Sequence, residues 1–329
     1  MLDKQTVFDE SLRTLRKILI KTYDEDVQAG ILINWEKSLS KENPSWKYIG
    51  FDSHKVSSGN DLGHVFSMVD TRMPDIGFVG YFAATSEGAG VQVLDQACDS
   101  LKRRGIKEIY GPIDGTIINN YRLNEGPSSL FPGEPINPEF YIECFNIAGF
   151  DTYNTYQTGS SSLKNMKFLQ LFMKPPTDKF PQISMRNFDQ SKFSEELSTL
   201  ADLVNAIFPS QSEYGTAYAK DEFFYIFGQQ KEIFDSRYCI FLEDNGTAIG
   251  AIFCYKYNDS LIVKTIGVIK QYQGTGISKL LIKEVHKRAR EDGLKTAIYA
   301  LVRNGNRVSK MKRPGVKIIR QYVTMKKEV

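Results

Sequence analysis

The residues from Leu261 to Ile269 read as an apolar strand that runs straight into Gln273-Gly274-Thr275-Gly276-Ile277-Ser278, and this turn opens a helix. Ile277, Leu280, Leu281, Val285 and Ala289 fall on one helical face, and Gly293 stands where a left-handed C-terminal cap is expected. The glycines alone carry little weight. With 25 glycines in 329 residues, Gly-x-Gly arises by chance about twice, and it occurs at Gly88/Gly90 and at Gly274/Gly276. The setting of the second copy gives it meaning. A strand, a glycine-rich turn and a helix N-terminus gather unpaired backbone N–H groups around a concavity, with the positive end of the helix dipole behind them. That is a phosphate site. Gly274 and Gly276 let the main chain approach an anion closely, and Gln273 can add a side-chain amide donor.

The strands before this turn form a meander. Arg237 to Leu242, Ala248 to Tyr257 and Leu261 to Ile269 are rich in β-branched and aromatic residues, separated by Asp244-Asn245-Gly246 and Asn258-Asp259. Upstream, Ile183 to Phe188 reads as a strand, Phe193 to Phe208 as a helix and Asp221 to Phe234 as another helix. Downstream, Thr296 to Val302 is a strand, and Val316 to Met325 is one or two more.

The first half repeats part of this order. Gly77 to Ala84 is an apolar strand, Val91, Leu94, Cys98 and Leu101 share a helix face ending at Gly105, and Glu108 to Pro112 begins a strand. Superposing Gly90 on Gly276 brings Gly105 close to Gly293, which fits an internal duplication. Glu87 then takes the place of Gln273, and its negative charge opposes an anion there. Pro175, Pro176 and Pro181 mark the best boundary. The expected organisation is a degenerate domain over residues 1–163, a linker over 164–181 and a ligand-binding domain over 182–329. Both domains are of the α/β (α+β) class, each with a mixed, mostly antiparallel twisted sheet flanked by helices.

Lys and Arg number 42 against 39 Asp and Glu, so charge gives no argument for nucleic acid or an anionic membrane. Cys98, Cys144, Cys239 and Cys254 are far apart, which argues against a disulfide framework or a metal site. No apolar run reaches the roughly 18 residues of a membrane span, and a cytoplasmic protein is expected. His54 and His64, in Ser/Gly/Asn-rich surroundings, read as loop residues.

The stretch from Ile266 to Leu281 resembles the core motif of the GNAT N-acetyltransferases, in which a strand precedes Gln/Arg-x-x-Gly-x-Gly/Ala; Gln273 and Gly276 match, and Ser278 stands at the last position. Phe145-x-x-x-Gly149-Phe150 resembles the ending of such a domain in the first half, so tandem acetyltransferase-like domains are expected. The resemblance implies an acetyl-CoA cosubstrate whose pantetheine arm pairs with the main chain at Ile266 and Val268. Its diphosphate would lie on Gln273, Gly274, Thr275, Gly276, Ile277 and Ser278. Asn306 and Ser309 resemble the family's Asn-x-x-Ala/Ser and would reach the coenzyme. A dinucleotide fold instead expects a third glycine inside a parallel unit; here the third glycine is absent and the strands before the turn form a meander.

The family's tyrosine acid is replaced by Lys312, and the strand before the turn has no glutamate to serve as base. The loop between the first two helices of the second half offers Glu213 and Tyr214 as catalytic candidates, with Tyr218 beyond them. Tyr255 and Tyr257 share a strand face and read as packing or rim. The reading is transfer of an acetyl or short acyl group from coenzyme A to a primary amine of a small molecule, by direct attack and without metal. The first domain is expected to pack on the second. A noncatalytic acyl-CoA sensor is the alternative.

Overall fold

The computed structural model describes residues 3–126, 130–165, 177–208, 215–305 and 315–329. Of the expected linker, residues 166–176 lie outside these. Two compact units are present: residues 1–155 together with 322–329, and residues 156–321.

The first unit begins with α1 (Lys4–Thr22) and α2 (Glu25–Ser38), followed by β1 (Ile49–Ser58), β2 (Asp61–Asp70) and β3 (Ile76–Ala84). Next come α3 (Glu87–Arg103), β4 (Glu108–Gly111), the short β5 (Leu123–Asn124), α4 (Phe140–Ile147) and the opening of β6 (Asp151–Ser162). The second unit takes the rest of β6, then β7 (Ile183–Asn187), α5 (Phe193–Ile207), α6 (Lys220–Phe227), β8 (Cys239–Asp244), β9 (Thr247–Tyr257) and β10 (Ser260–Val268). It continues through α7 (Lys279–Glu291) and β11 (Thr296–Arg303) to the start of β12 (Lys317–Glu328).

In the first unit β1, β2 and β3 pair antiparallel, β3 pairs parallel with β4, and β4 pairs antiparallel with the C-terminal part of β12. In the second, β7, β8, β9 and β10 pair antiparallel, β10 pairs parallel with β11, and β11 pairs antiparallel with the latter part of β6. Each is a mixed, mostly antiparallel sheet flanked by helices. The plan repeats, with one difference. In the first unit the strand beyond the parallel pair comes from residues 322–329, where Tyr322, Val323 and Met325 are buried, whereas in the second it is the unit's own opening strand, with Leu163 after it in the core.

Local chemistry sets the element ends. Gly105, Gly149 and Gly293 have φ of +84°, +81° and +77°, and the amides that follow close back onto the helices, as in Leu294 N donating to Ala289 O at 2.9 Å. Asn245 and Gly246, with φ of +47° and +80°, make the hairpin between β8 and β9. The single helix expected over Asp221 to Phe234 ends instead at Phe227, and a separate 3-10 turn covers Lys231–Ile233. A Cβ on Gly228 would lie 2.5 Å from Phe224 O, so the chain tightens there in a way only glycine fits.

The two histidines expected in loops lie on paired strands. His54 Nε2 meets Ser67 Oγ at 2.8 Å. His64, fully buried on β2, donates from Nδ1 to Tyr81 O at 2.9 Å and accepts at Nε2 from Ser53 Oγ, 3.3 Å away. Burial holds its imidazole down at about 4. The unfolded chain protonates at about 6.5, so between these values it binds more protons than the folded one. Folding stability should therefore fall as the pH drops from 6.5 toward 4. Urea unfolding across that range should show the loss, and His64→Gln should remove its share of the slope. Met325→Ala should destabilise the first unit by about 2–5 kcal/mol, seen as early loss of protection in hydrogen exchange over β3 and β4.

Candidate active site

β10 and β11 are in parallel register only from Ser260–Val263 against Thr296–Tyr299. Beyond Val263 a bulge at Lys264 shifts the pairing with β9, from Val263 opposite Cys254 to Thr265 opposite Phe253. On β11, Leu301 takes φ +56°. The strands part here. Ile269 N donates to Ile249 O at 2.9 Å, and stepping back by twos turns the polar groups of Gly267 and Thr265 toward β9 and those of Ile266 and Val268 toward the gap. Both residues expected to meet the pantetheine arm thus line the opening.

At the end of β10, Lys270–Tyr272 forms one 3-10 turn, and Tyr272 Oη donates to the Asp244 carboxylate. That bond, followed by loss of hydration and then by the charge of Asp244, raises the Tyr272 pKa. In the turn, Gln273 N donates to Lys270 O at 3.1 Å, Thr275 N to Tyr272 O at 3.4 Å, and Ile277 N to Thr275 Oγ1 at 3.3 Å. Thr275 Oγ1 itself donates to Tyr272 O at 2.7 Å. Alternate amides are thereby consumed within the loop. Among the described residues the amides of Gly274, Gly276 and Ser278 donate to no protein acceptor. These three belong to a turn with φ of +81° at Gly274 and +83° at Gly276, anchored by the fully buried Ile277.

Three details lay beyond sequence reasoning. The Gln273 side-chain amide donates to Val268 O at 3.2 Å, so it closes the base of the turn where an anion contact was expected. Ser278 makes no side-chain cap to α7. Lys279 Nζ and Cε lie 3.8 and 3.7 Å from the point where a Cβ on Gly276 would stand, which places an ammonium beside the turn. Its position three residues after Gly276, at a helix start, is the signal that could have found it. The bulge at Lys264 has no comparable signal.

Of the remaining candidates, Glu213, Tyr214, Asn306 and Ser309 lie outside the described residues, as does Lys312. Tyr218 is buried, its main chain held from both sides by the Asn205 amide at 2.8 and 2.9 Å. Tyr255 is half-buried and Tyr257 is exposed. Among the described residues no group of three His, Cys, Asp or Glu side chains is placed to hold a metal, and no helix is long and apolar enough to cross a membrane. A surface depression around Arg237, Glu284, Arg288 and Glu291 is elsewhere, and its charges pair with one another at 2.8–3.0 Å.

The corresponding place in the first unit is built differently. β3 and β4 also part, after Phe78 and Tyr110, but the chain fills its own gap. Ile113 N donates to Val79 O at 2.8 Å. The buried Asp114 carboxylate accepts from Tyr81 N and, at 3.1 Å, from Trp35 Nε1. Burial raises its pKa. A Cβ on Gly80 would lie 1.9 Å from Ile113 O, so glycine permits the plug. The expectation that Gly88 and Gly90 form a turn like that of Gly274 and Gly276 is corrected. Only Thr85-Ser86 connects β3 to α3, Ser86 Oγ accepts from Ala89 N at 3.3 Å, and both glycines lie in the helix. Gly90 is small because a Cβ there would meet Cys144 Sγ at 2.5 Å.

Residues 199–310 match the acetyltransferase (GNAT) family model. That segment is a GNAT-family domain, in agreement with the parted strands and the turn. No curated protein matches the chain. Among solved structures, the chain is similar to a conserved protein of unknown function from Enterococcus faecalis V583 described as a probable N-acyltransferase, at 10% identity and TM-score 0.57, over 98% of this chain and 71% of that one. It is also similar to GCN5-related N-acetyltransferases from Anabaena variabilis (8% identity, TM-score 0.51, 98% and 70% covered) and Kribbella flavida (9%, 0.51, 98% and 69%). These likenesses are to the fold, and they extend over both units.

A branched side chain at Gly276 must adopt a strained φ and intrude on the turn. Gly276→Val should weaken acetyl-CoA binding by about tenfold or more in calorimetry, with the unfolding midpoint changed far less.

Proposed function

We propose that the second unit transfers an acetyl or other short acyl group from coenzyme A to the primary amine of a small molecule by direct attack. The observation that supports it most is the set of three amides without an acceptor among the described residues, Gly274, Gly276 and Ser278, at the end of a strand that has left its neighbour. Those amides, with the α7 dipole behind them, suit a diphosphate. The main-chain groups of Ile266 and Val268 that face the gap suit an amide-bearing arm. The bound cosubstrate would supply an activated thioester. A carbon–nitrogen bond forms as the carbon–sulfur bond breaks, the amine loses one proton, and the thiol leaves with one. The chain's part is to align the carbonyl, exclude water and hold the anion.

The first unit is proposed to take no coenzyme, because Ile113 and Asp114 already occupy the polar groups of its parted strand. Calorimetry with acetyl-CoA should then give one site per chain. Following free thiol across an amine library tests turnover: release with some amine supports the transferase. Tight binding without release for any amine would mark a sensor instead, and displacement by NAD would sink the coenzyme assignment.

A further inference from the structure

The two faces of β10 are not equivalent. Leu261, Val263, Ile266 and Val268 face a closed core with Ile277, Leu281, Val285 and Ala289 of α7, which have no exposed surface. On the opposite face a Cβ on Gly267 would lie 2.8 Å from Ile207 Cγ2 of α5, and Thr265, two residues away, shares that face. If the proposed coenzyme occupies the gap from the turn side, its acyl carbon ends near Val263 to Thr265. The α7 face is filled, so the attacking amine must arrive over the other one.

That face is aromatic. Phe253, directly opposite Thr265, lies 5.2 Å from Phe234 and 6.1 Å from Tyr255 by ring centroids. Phe234 lies 5.2 Å from Phe188 and 6.2 Å from Phe227. Phe188, Phe234 and Phe241 are buried in this layer, whereas Phe227, Phe253 and Tyr255 are half-buried at its margin. The margin therefore comes up beside the point where β10 leaves β11. These marginal side chains and Thr265 include no carboxylate, and the bulge next to them carries a lysine, Lys264. A second positive charge on the acceptor would lose its hydration against these described side chains without gaining a carboxylate from them, while an apolar body would gain burial against rings.

We infer that the acceptor is a primary amine borne on an aromatic or branched aliphatic body, and that Phe253 seats that body beside the reacting carbonyl. The inference rests on the transferase reading and narrows it to a substrate class. Discrimination of this kind by an apolar wall is worth about 10- to 200-fold.

The full chain with acetyl-CoA should show a kcat/KM for 2-phenylethylamine at least about tenfold above those for ethanolamine and 1,3-diaminopropane. Phe253→Ala should remove most of that preference while coenzyme affinity in calorimetry stays within about twofold, and Phe253→Leu should keep much of it. Saturation-transfer NMR on the protein, with and without coenzyme A, should detect the ring protons of 2-phenylethylamine in the unaltered chain and lose them in Phe253→Ala. Equal or better turnover of ethanolamine or the diamine overturns the inference. So does an equal loss for all amines in both variants, or absence of ring signals in the unaltered protein. Failure of acetyl-CoA to bind at all overturns the transferase reading instead, and the NMR measurement without coenzyme still decides whether the aromatic seat exists.

Discussion

Main-chain N–H and C=O groups withdrawn from water must find partners, and a strand that parts from its neighbour in mid-sheet leaves a row of them exposed to that demand. Both units contain such a parting, after Phe78 in one and after Val263 in the other. The first meets the demand from within, with Ile113 N on Val79 O and Asp114 on Tyr81 N. Among the described residues, the second leaves the groups of Ile266 facing the gap and closes Val268 O through Gln273. The difference between a plugged unit and one able to take a ligand is thus a difference in who supplies the missing partners.

The turn after β10 extends the same logic to its tip. Thr275 accepts one amide and reaches back to Tyr272 O, and the alternation it fixes leaves every second N–H without an acceptor among the described residues. A loop that satisfied all of its amides would be equally well ordered and would bind nothing. Tyr272 on Asp244 and Ile277 in the core hold both ends, so these amides are positioned before any anion arrives.

Much of this was legible in the sequence wherever a local rule decides the structure. The strand into Gln273, the helix face from Ile277 to Ala289 and the cap at Gly293 follow from period and backbone chemistry, and the structure has all three. Gly88 and Gly90 misled because a glycine required by helix packing, here against Cys144, is spelled the same way as one required by a turn. Gly228 ended a helix whose apolar spacing continued beyond it. His54 and His64 looked like loop residues because their neighbours are small and polar, yet their partners Ser67, Ser53 and Tyr81 all lie on adjacent strands. Nothing local announces that Met325 pairs with Gly111, or that Ile113 folds back onto Val79.

The placement of β6 and β12 bears on how the molecule is made. A chain leaving the ribosome presents residues 1–155 first, but the strand that completes their sheet is synthesised only after residues 156–321. Until then the edge of β4 offers unpaired main-chain groups beside an unfinished apolar core, a state prone to wrong partners. The second unit has the equivalent strand, its own first, in hand before the rest of it emerges. The second unit is therefore able to close before the first, whose sheet waits for residues 322–329.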